Sequence, residues 1–155
     1  MERSEKTGDE VTGEPRERLR WWSLLVAGSV VTVFGVLHHA DHVIRGNHSG
    51  WPFQEAITPF TFSLLIYALI LPGLYATWRG RTVAGYHLFV ALVGLALVFS
   101  VHFVGEEREA PISDIYQVYG SPAAGLLALV VLVGLFFGLA ALAVTAFRAR
   151  RVGRS

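Results

Sequence analysis

The sequence predicts an all-α integral membrane protein, a bundle of four transmembrane helices with both termini in the cytoplasm. Three observations lead to this class. The 155 residues are 53% hydrophobic and only 16% charged, which is more apolar than soluble domains usually are. Four apolar segments are each long enough to cross a hydrocarbon core of about 30 Å, which takes roughly 20 helical residues. Basic residues gather at alternate ends of these segments. The predicted spans are approximately residues 21–42, 58–78, 83–104 and 122–147.

The first span follows a highly charged segment. Residues 1–20 contain few large apolar side chains, so we expect a disordered cytoplasmic tail that cannot bury enough surface to become ordered. The apolar run that follows exceeds the length of a signal-peptide core and precedes three more spans. It also lacks a cleavage site of small residues, so it is predicted to be a retained helix.

Proline marks the beginning or the interior of the later spans. Thr58 and Ser121 each provide a hydroxyl cap directly before a proline, which is well tolerated at the first helical position. Pro72 falls inside the second span and is expected to kink it, with Thr77 or a packed helix compensating for the freed carbonyl group. Residues 148–155 are predicted to form a basic cytoplasmic tail.

The distribution of positive charge predicts the orientation. Of the 13 Lys and Arg residues, all but Arg45 and Arg108 lie before the first span, between the second and third spans, or after the fourth. The positive-inside rule then places both termini in the cytoplasm. The outer loop of residues 105–121 contains apolar residues at helical spacing, which predicts a short interfacial helix over the outer end of the bundle.

Composition excludes several kinds of site and partner. The chain has no cysteine, so thiolate zinc sites, iron–sulfur clusters and disulfides are excluded. Its net charge is only +1, and the arginines lie at the edges of apolar segments rather than on one face. No nucleic-acid partner is therefore expected.

Histidines and carboxylates collect at the predicted outer end. The six histidines include five on that side: His38, His39, His42, His48 and His102. Positions three, four and seven residues apart share one face of a helix, so His38, Asp41, His42 and Arg45 form a stripe while His39 points about 100° away. His102 and Glu106 are likewise four residues apart and project together.

These two groups predict a metal site between helices. Imidazoles at positions i and i+4 can bind one ion, and a carboxylate can bind it or orient an imidazole. The predicted ligands to zinc, copper or iron are His38, His42, His102 and Glu106. The predicted supporting residues are Asp41, Arg45, Glu55, Asp114 and His39.

A single b-type haem is the alternative cofactor. Two imidazoles facing each other from neighbouring helices would hold it, with His38 or His42 on one side and His102 on the other. The inner half of the bundle contains only His87 and offers no second axial ligand. His87 is therefore expected to donate a hydrogen bond between helices.

Three classes of function follow from this pattern. The first is a small membrane protein that binds a metal or haem for redox chemistry, metal handling or sensing. The second is an accessory subunit without a cofactor, and the third is a metal-dependent membrane enzyme that uses the same cluster. The segment from His38 to His42 is close to the H-x-x-E-H pattern of inverted zincins, with Asp41 in place of glutamate. No later segment provides a clear third-ligand signature for that enzyme class.

Small residues in the fourth span predict close helix packing. Gly134 and Gly138 form a GxxxG pattern, which lets two helix backbones approach each other. The partner helix belongs either to the same bundle or to another chain. The lipid bilayer, a second copy and another membrane protein are the expected partners.

Overall fold

A computed structural model describes residues 13–45, 63–81, 83–104 and 119–152. Within these ranges the chain forms four helices, which confirms the predicted all-α class. Two of them contain segments long and apolar enough to cross a membrane, Arg18–Ile44 and Pro122–Arg151. The helices are α1 (Gly13–Arg45), α2 (Leu65–Trp78), α3 (Ala84–Phe103) and α4 (Pro122–Val152).

The first helix is longer than the sequence predicts. It begins at Gly13, eight residues before the start of the predicted first span. Pro15 lies in the first turn, where its missing N–H costs no hydrogen bond. A proline at this position therefore favours helix in this segment despite its low apolar content.

The fourth helix begins where the sequence predicts and ends later. It starts at Pro122, directly after Ser121, and it continues to Val152 through residues assigned to the basic tail. Alanine and arginine favour helix, and cations stabilise the last turn through the helix dipole. The Arg151 guanidinium also lies 4.9 Å from the centre of the Phe147 ring, within range of a cation–π interaction.

The second helix is the shortest in the described part of the chain. Its 14 residues span about 21 Å at 1.5 Å per residue, which is less than a hydrocarbon core. The predicted start at Thr58 lies outside the described residues. Pro72 lies within this helix. The Tyr86 hydroxyl of α3 donates a hydrogen bond to the Leu69 carbonyl at 2.5 Å, so a packed helix supplies a donor near the proline.

A tight turn joins α2 to α3. Gly80 has a φ of +77°, a left-handed conformation that favours glycine. The Gly80 N–H donates to the Thr77 carbonyl and the Arg81 N–H to the Ala76 carbonyl, both at 2.9 Å. This pair of bonds is a Schellman motif, which satisfies carbonyl groups at the end of α2. The turn reverses the chain and makes α2 and α3 antiparallel.

The helices pack around one axis. α1 packs most extensively on α4, and α3 also packs on α4, while α2 contacts both α1 and α3. α1 and α3 are therefore diagonal to each other, run in the same direction and meet mainly through side chains at the axis. At one end the indole N–H of Trp21 donates to the Thr77 carbonyl, and the side chain of Arg150 approaches Gly85. Trp21 and Arg150 thus lie at that end of the described bundle, and His38, His42 and His102 lie towards the other.

The glycine pattern of α4 faces α1 of the same chain. A Cβ atom at Gly134 would overlap the ring of Phe34, and one at Gly138 would lie 3.4 Å from Cγ2 of Val31. The described structure thus uses these glycines for packing within the bundle. Association with another chain through the same helix stays a prediction.

Candidate metal centre

Three histidines from two helices converge at the bundle axis. His38 and His42 are one turn apart near the end of α1, and His102 lies in the last turn of α3. All three are buried, with exposed fractions of 6%, 3% and 3% in that order. Because α1 and α3 run in the same direction, both helix ends deliver their imidazoles to the same level. We call these three residues the His triad.

The ring nitrogens of the His triad are close together. His38 Nε2 lies 3.1 Å from His102 Nε2 and 3.2 Å from His42 Nε2. One ligand nitrogen from each residue falls within 4.8 Å of the others. Ligands held at 2.0–2.1 Å in a tetrahedron are about 3.3 Å apart. The His triad could therefore hold a metal ion.

Asp41 is tied to the start of the fourth helix. It lies one residue before His42 and is 7% exposed. The Tyr119 hydroxyl donates a hydrogen bond to Asp41 Oδ1. Tyr119 precedes α4 by three residues, so this bond connects the end of α1 to the beginning of α4 beside the His triad.

His39 belongs to a different set of contacts. Its Nδ1 lies 2.7 Å from the Tyr67 hydroxyl and 2.9 Å from the Gly35 carbonyl, and its Nε2 lies 2.8 Å from Ser63 Oγ. The helical rotation between adjacent residues turns His39 toward α2, as expected from the sequence. Both of its nitrogens are thus engaged away from the His triad.

The structure describes part of the predicted site. It brings together His38, His42 and His102, and it places Asp41 and His39 beside them with the partners given above. Glu55, Glu106 and Asp114 lie outside the described residues, as does the side chain of Arg45. The loop predicted to form an interfacial helix is also outside, apart from its last residues, 119–121.

His87 forms a separate buried contact nearer the arginine-rich end. It is fully buried, as is Thr77, and their Nε2 and Oγ1 atoms are 2.7 Å apart. The Thr77 hydroxyl donates to the Gly73 carbonyl at 2.8 Å, so its oxygen accepts a hydrogen from His87 Nε2. His87 therefore donates a hydrogen bond from α3 to α2, in agreement with the role expected for it.

Removal of this interhelical bond should have a modest effect on stability. We expect Thr77→Val to lower the free energy of unfolding by about 1 kcal/mol, because hydrogen bonds between helices in membranes contribute about that much. The change is measured by equilibrium unfolding in detergent micelles. The matched control is Thr32→Val, since the Thr32 hydroxyl donates to Gly28 of its own helix at 2.9 Å. Equal losses in the two variants would contradict a specific contribution from the His87 contact.

Some partners were not expected from the sequence. Asp41 accepts a hydrogen bond from Tyr119, and His39 contacts Ser63 and Tyr67. These contacts join residues from different helices or loops. The one feature of the sequence that points to the contact of His39 is a polar residue, Tyr67, in the first turn of α2. It becomes informative once the helices are known to be antiparallel neighbours.

The described geometry is a buried His triad with a carboxylate and a tyrosine beside it. Such an arrangement provides nitrogen ligands from two helices and restricts access by bulk water. Comparison of the chain with protein families, curated proteins and solved structures finds no match. The geometry of the His triad is therefore the basis for interpreting its function.

Proposed function

We propose that this chain is a four-span membrane protein that binds one transition-metal ion through His38, His42 and His102. The observation that carries the proposal is the convergence of three buried Nε2 atoms, with His38 Nε2 within 3.2 Å of the other two. The ion would serve redox chemistry, metal handling or sensing at the outer face of the membrane.

Hydrogen bonding alone explains this convergence poorly. An imidazole nitrogen has one in-plane position, so it either donates one hydrogen or accepts one bond through its lone pair. His38 Nε2 faces two other Nε2 atoms at once, and a single proton cannot serve both contacts well. Protonation of all three rings would place like charges together in a buried site. One cation satisfies three nitrogen lone pairs simultaneously.

The local field also favours a cation. His42 lies in the last turn of α1 and His102 in the last turn of α3. The C-terminal end of a helix carries a partial negative charge of about half an electron. Two such ends meet at the His triad, and the buried carboxyl group of Asp41 lies one residue from His42. These negative groups offset part of the charge of a divalent ion.

The donor set restricts the choice of metal. Three neutral imidazoles suit zinc, copper and iron, whereas magnesium and calcium prefer oxygen ligands. Three protein ligands leave a fourth tetrahedral position, as in zinc and iron sites that bind water or a small molecule. Glu106 follows the end of α3 by three residues in the sequence, and we retain it as a candidate for that position.

The spacing favours an ion over haem. A b-type haem needs two imidazoles on opposite faces of a porphyrin, with the macrocycle filling the space around the iron. Here three rings converge on one point, and the centres of the His38 and His102 rings are only 5.0 Å apart. The third ring, that of His42, is 4.6 Å from His38 and occupies space that a porphyrin would need.

The distribution of apolar surface supports insertion in a bilayer. Large apolar side chains are exposed on all four helices, for example Val33 at 56% and Phe137 at 68%. Lipid tails would cover these side chains, whereas contact with water would be unfavourable. The arginine-rich end would lie in the cytoplasm, so both termini would be inside and the His triad would be near the outer face.

Metal titration tests this proposal. We expect metal-free protein in detergent to bind about one equivalent of zinc, copper or ferrous iron per chain, as measured by calorimetry and elemental analysis. Acidification should weaken binding because the ligating imidazoles must be neutral. Affinity should fall by up to tenfold per pH unit for each ring that must lose a proton to bind the ion.

The pH dependence separates the His triad from weak surface binding. Carboxylates keep their charge down to a pH of about 4, so adventitious sites made of acidic residues would hold metal through the range from 7 to 5. Absence of stoichiometric binding at pH 7.5 would refute the proposal. The chain would then be better explained as an accessory subunit whose histidines form a structural contact.

A further inference from the structure

A cavity lies on the bundle axis directly beside the His triad. It has a volume of about 70 Å³ and is bounded by all four helices. The His triad forms part of its wall. Its apolar lining includes Val31, Ile70, Leu97, Val98, Leu135 and Leu139. The cavity therefore extends from the candidate metal position into the apolar interior.

The lining offers little to a charged or strongly polar ligand. It contains no Asp, Glu, Lys or Arg side chain among the described residues. The Thr32 hydroxyl donates to its own helix, and His39 is engaged by Ser63 and Tyr67. Apolar cavities hold water poorly and bind small apolar molecules or xenon instead. Among the described lining residues, the strongest attraction for a ligand would come from a metal at the His triad.

We propose that this cavity admits a diatomic gas, of the class of nitric oxide and dioxygen, to the open coordination position of the metal. This inference rests on the proposed metal site. Such a molecule is uncharged, partitions into an apolar interior, and has one end that binds a transition metal. The volume also fits, because about 10–15 Å³ of such space holds a water-sized molecule.

A gas dissolved in the bilayer would approach this cavity between the helices. Diatomic gases dissolve in lipid, and the cavity lies among helices whose outer surfaces are apolar. The His triad forms the polar end of the cavity. The protein would then bind or sense a gas dissolved in the membrane.

Nitric oxide is the probe for the first experiment. Protein loaded with ferrous iron is titrated with nitric oxide without oxygen, and the iron–nitrosyl complex is detected by electron paramagnetic resonance. Val31→Phe fills the cavity from α1, and Val33→Phe adds the same ring to an exposed position two residues away. We expect Val31→Phe to weaken nitric oxide binding at least tenfold, equivalent to about 1.4 kcal/mol. Metal affinity should stay within about threefold of the wild type in both variants.

Xenon tests the cavity without a metal. Metal-free wild-type protein should bind xenon in a saturable manner, measured by xenon nuclear magnetic resonance in detergent, and Val31→Phe should abolish this binding while Val33→Phe preserves it. Leu97→Phe narrows the same cavity from α3 if Val31→Phe does not fold. Since this measurement requires no ion, it is independent of the proposed metal site.

The outcomes distinguish the two proposals. Stoichiometric iron without an iron–nitrosyl signal would overturn the gas site and leave the metal site intact. Equal nitric oxide affinity in Val31→Phe and wild-type protein would also overturn it, because the ligand would then reach the metal from the aqueous side. Failure to bind any transition metal would refute both proposals, and xenon binding would in that case show a cavity without a metal function.

Discussion

Replacement of His102 by alanine should lower metal affinity at least about 100-fold, since even changes to groups that support a ligand cost 10–100-fold. His102 is the ligand from α3 and joins the two residues of α1 across the bundle axis. His38→Ala should have an effect at least as large, because His38 Nε2 lies 3.1 Å from His102 Nε2 and 3.2 Å from His42 Nε2. Competition with a chelator of known affinity measures the loss for each variant.

His39→Ala is the matched control for these variants. His39 lies in the same turn of α1 as His38 and is partly buried, but its nitrogens contact Ser63 and Tyr67. We expect its replacement to change metal affinity by less than about tenfold, below the 10–100-fold cost of removing a group that supports a ligand. A loss in His39→Ala equal to that in His102→Ala would indicate that general unfolding, and not ligand removal, controls binding.

Gly134→Ala should destabilise the bundle by about 1–3 kcal/mol, which is the usual cost of forcing extra carbon atoms into a packed interior. A methyl group at Gly134 would overlap the ring of Phe34, so α1 and α4 would have to separate or the ring would have to move. Equilibrium unfolding in detergent micelles measures the change. α1 and α4 share the most extensive contact in the described bundle, and this variant tests it directly.

Gly138→Ala provides the comparison one turn later. A Cβ atom there would lie 3.4 Å from Cγ2 of Val31, which is an ordinary contact. Alanine also has a higher helix propensity than glycine by about 1 kcal/mol, so this variant should be neutral or more stable. Phe34→Leu should restore part of the stability lost in Gly134→Ala. Additive effects of the two changes would show that Phe34 is not the source of the clash.

Local sequence features account for most of the helical structure. Continuous apolar runs predicted helices in the four places where the described chain has them, and Ser121 before Pro122 predicted the beginning of α4. The predicted start of the first helix was less accurate. Segment 13–20 has little apolar surface to bury, yet α1 includes it because a proline in the first helical turn also favours helix.

The candidate site was only partly predictable from the sequence, because its contacts join different helices. The helical period determines that His38 and His42 share a face and that His39 does not. No local rule states which helix each face meets. The partners of His39 and Asp41 depend on the antiparallel packing of α1 with α2 and on the position of the segment before α4.

The sequence by itself determined the helical class, the approximate position of each helix and the shared face of His38 and His42, because backbone hydrogen bonds and side-chain periodicity act over a few residues. Only the tertiary structure decided that His102, which is 64 positions from His38, comes within 3.1 Å of it. It also decided that an apolar cavity lies beside the three rings. Both features arise from the packing of four helices around one axis, where α1 and α3 face each other diagonally. Such contacts depend on the arrangement of whole helices, and local sequence does not encode that arrangement.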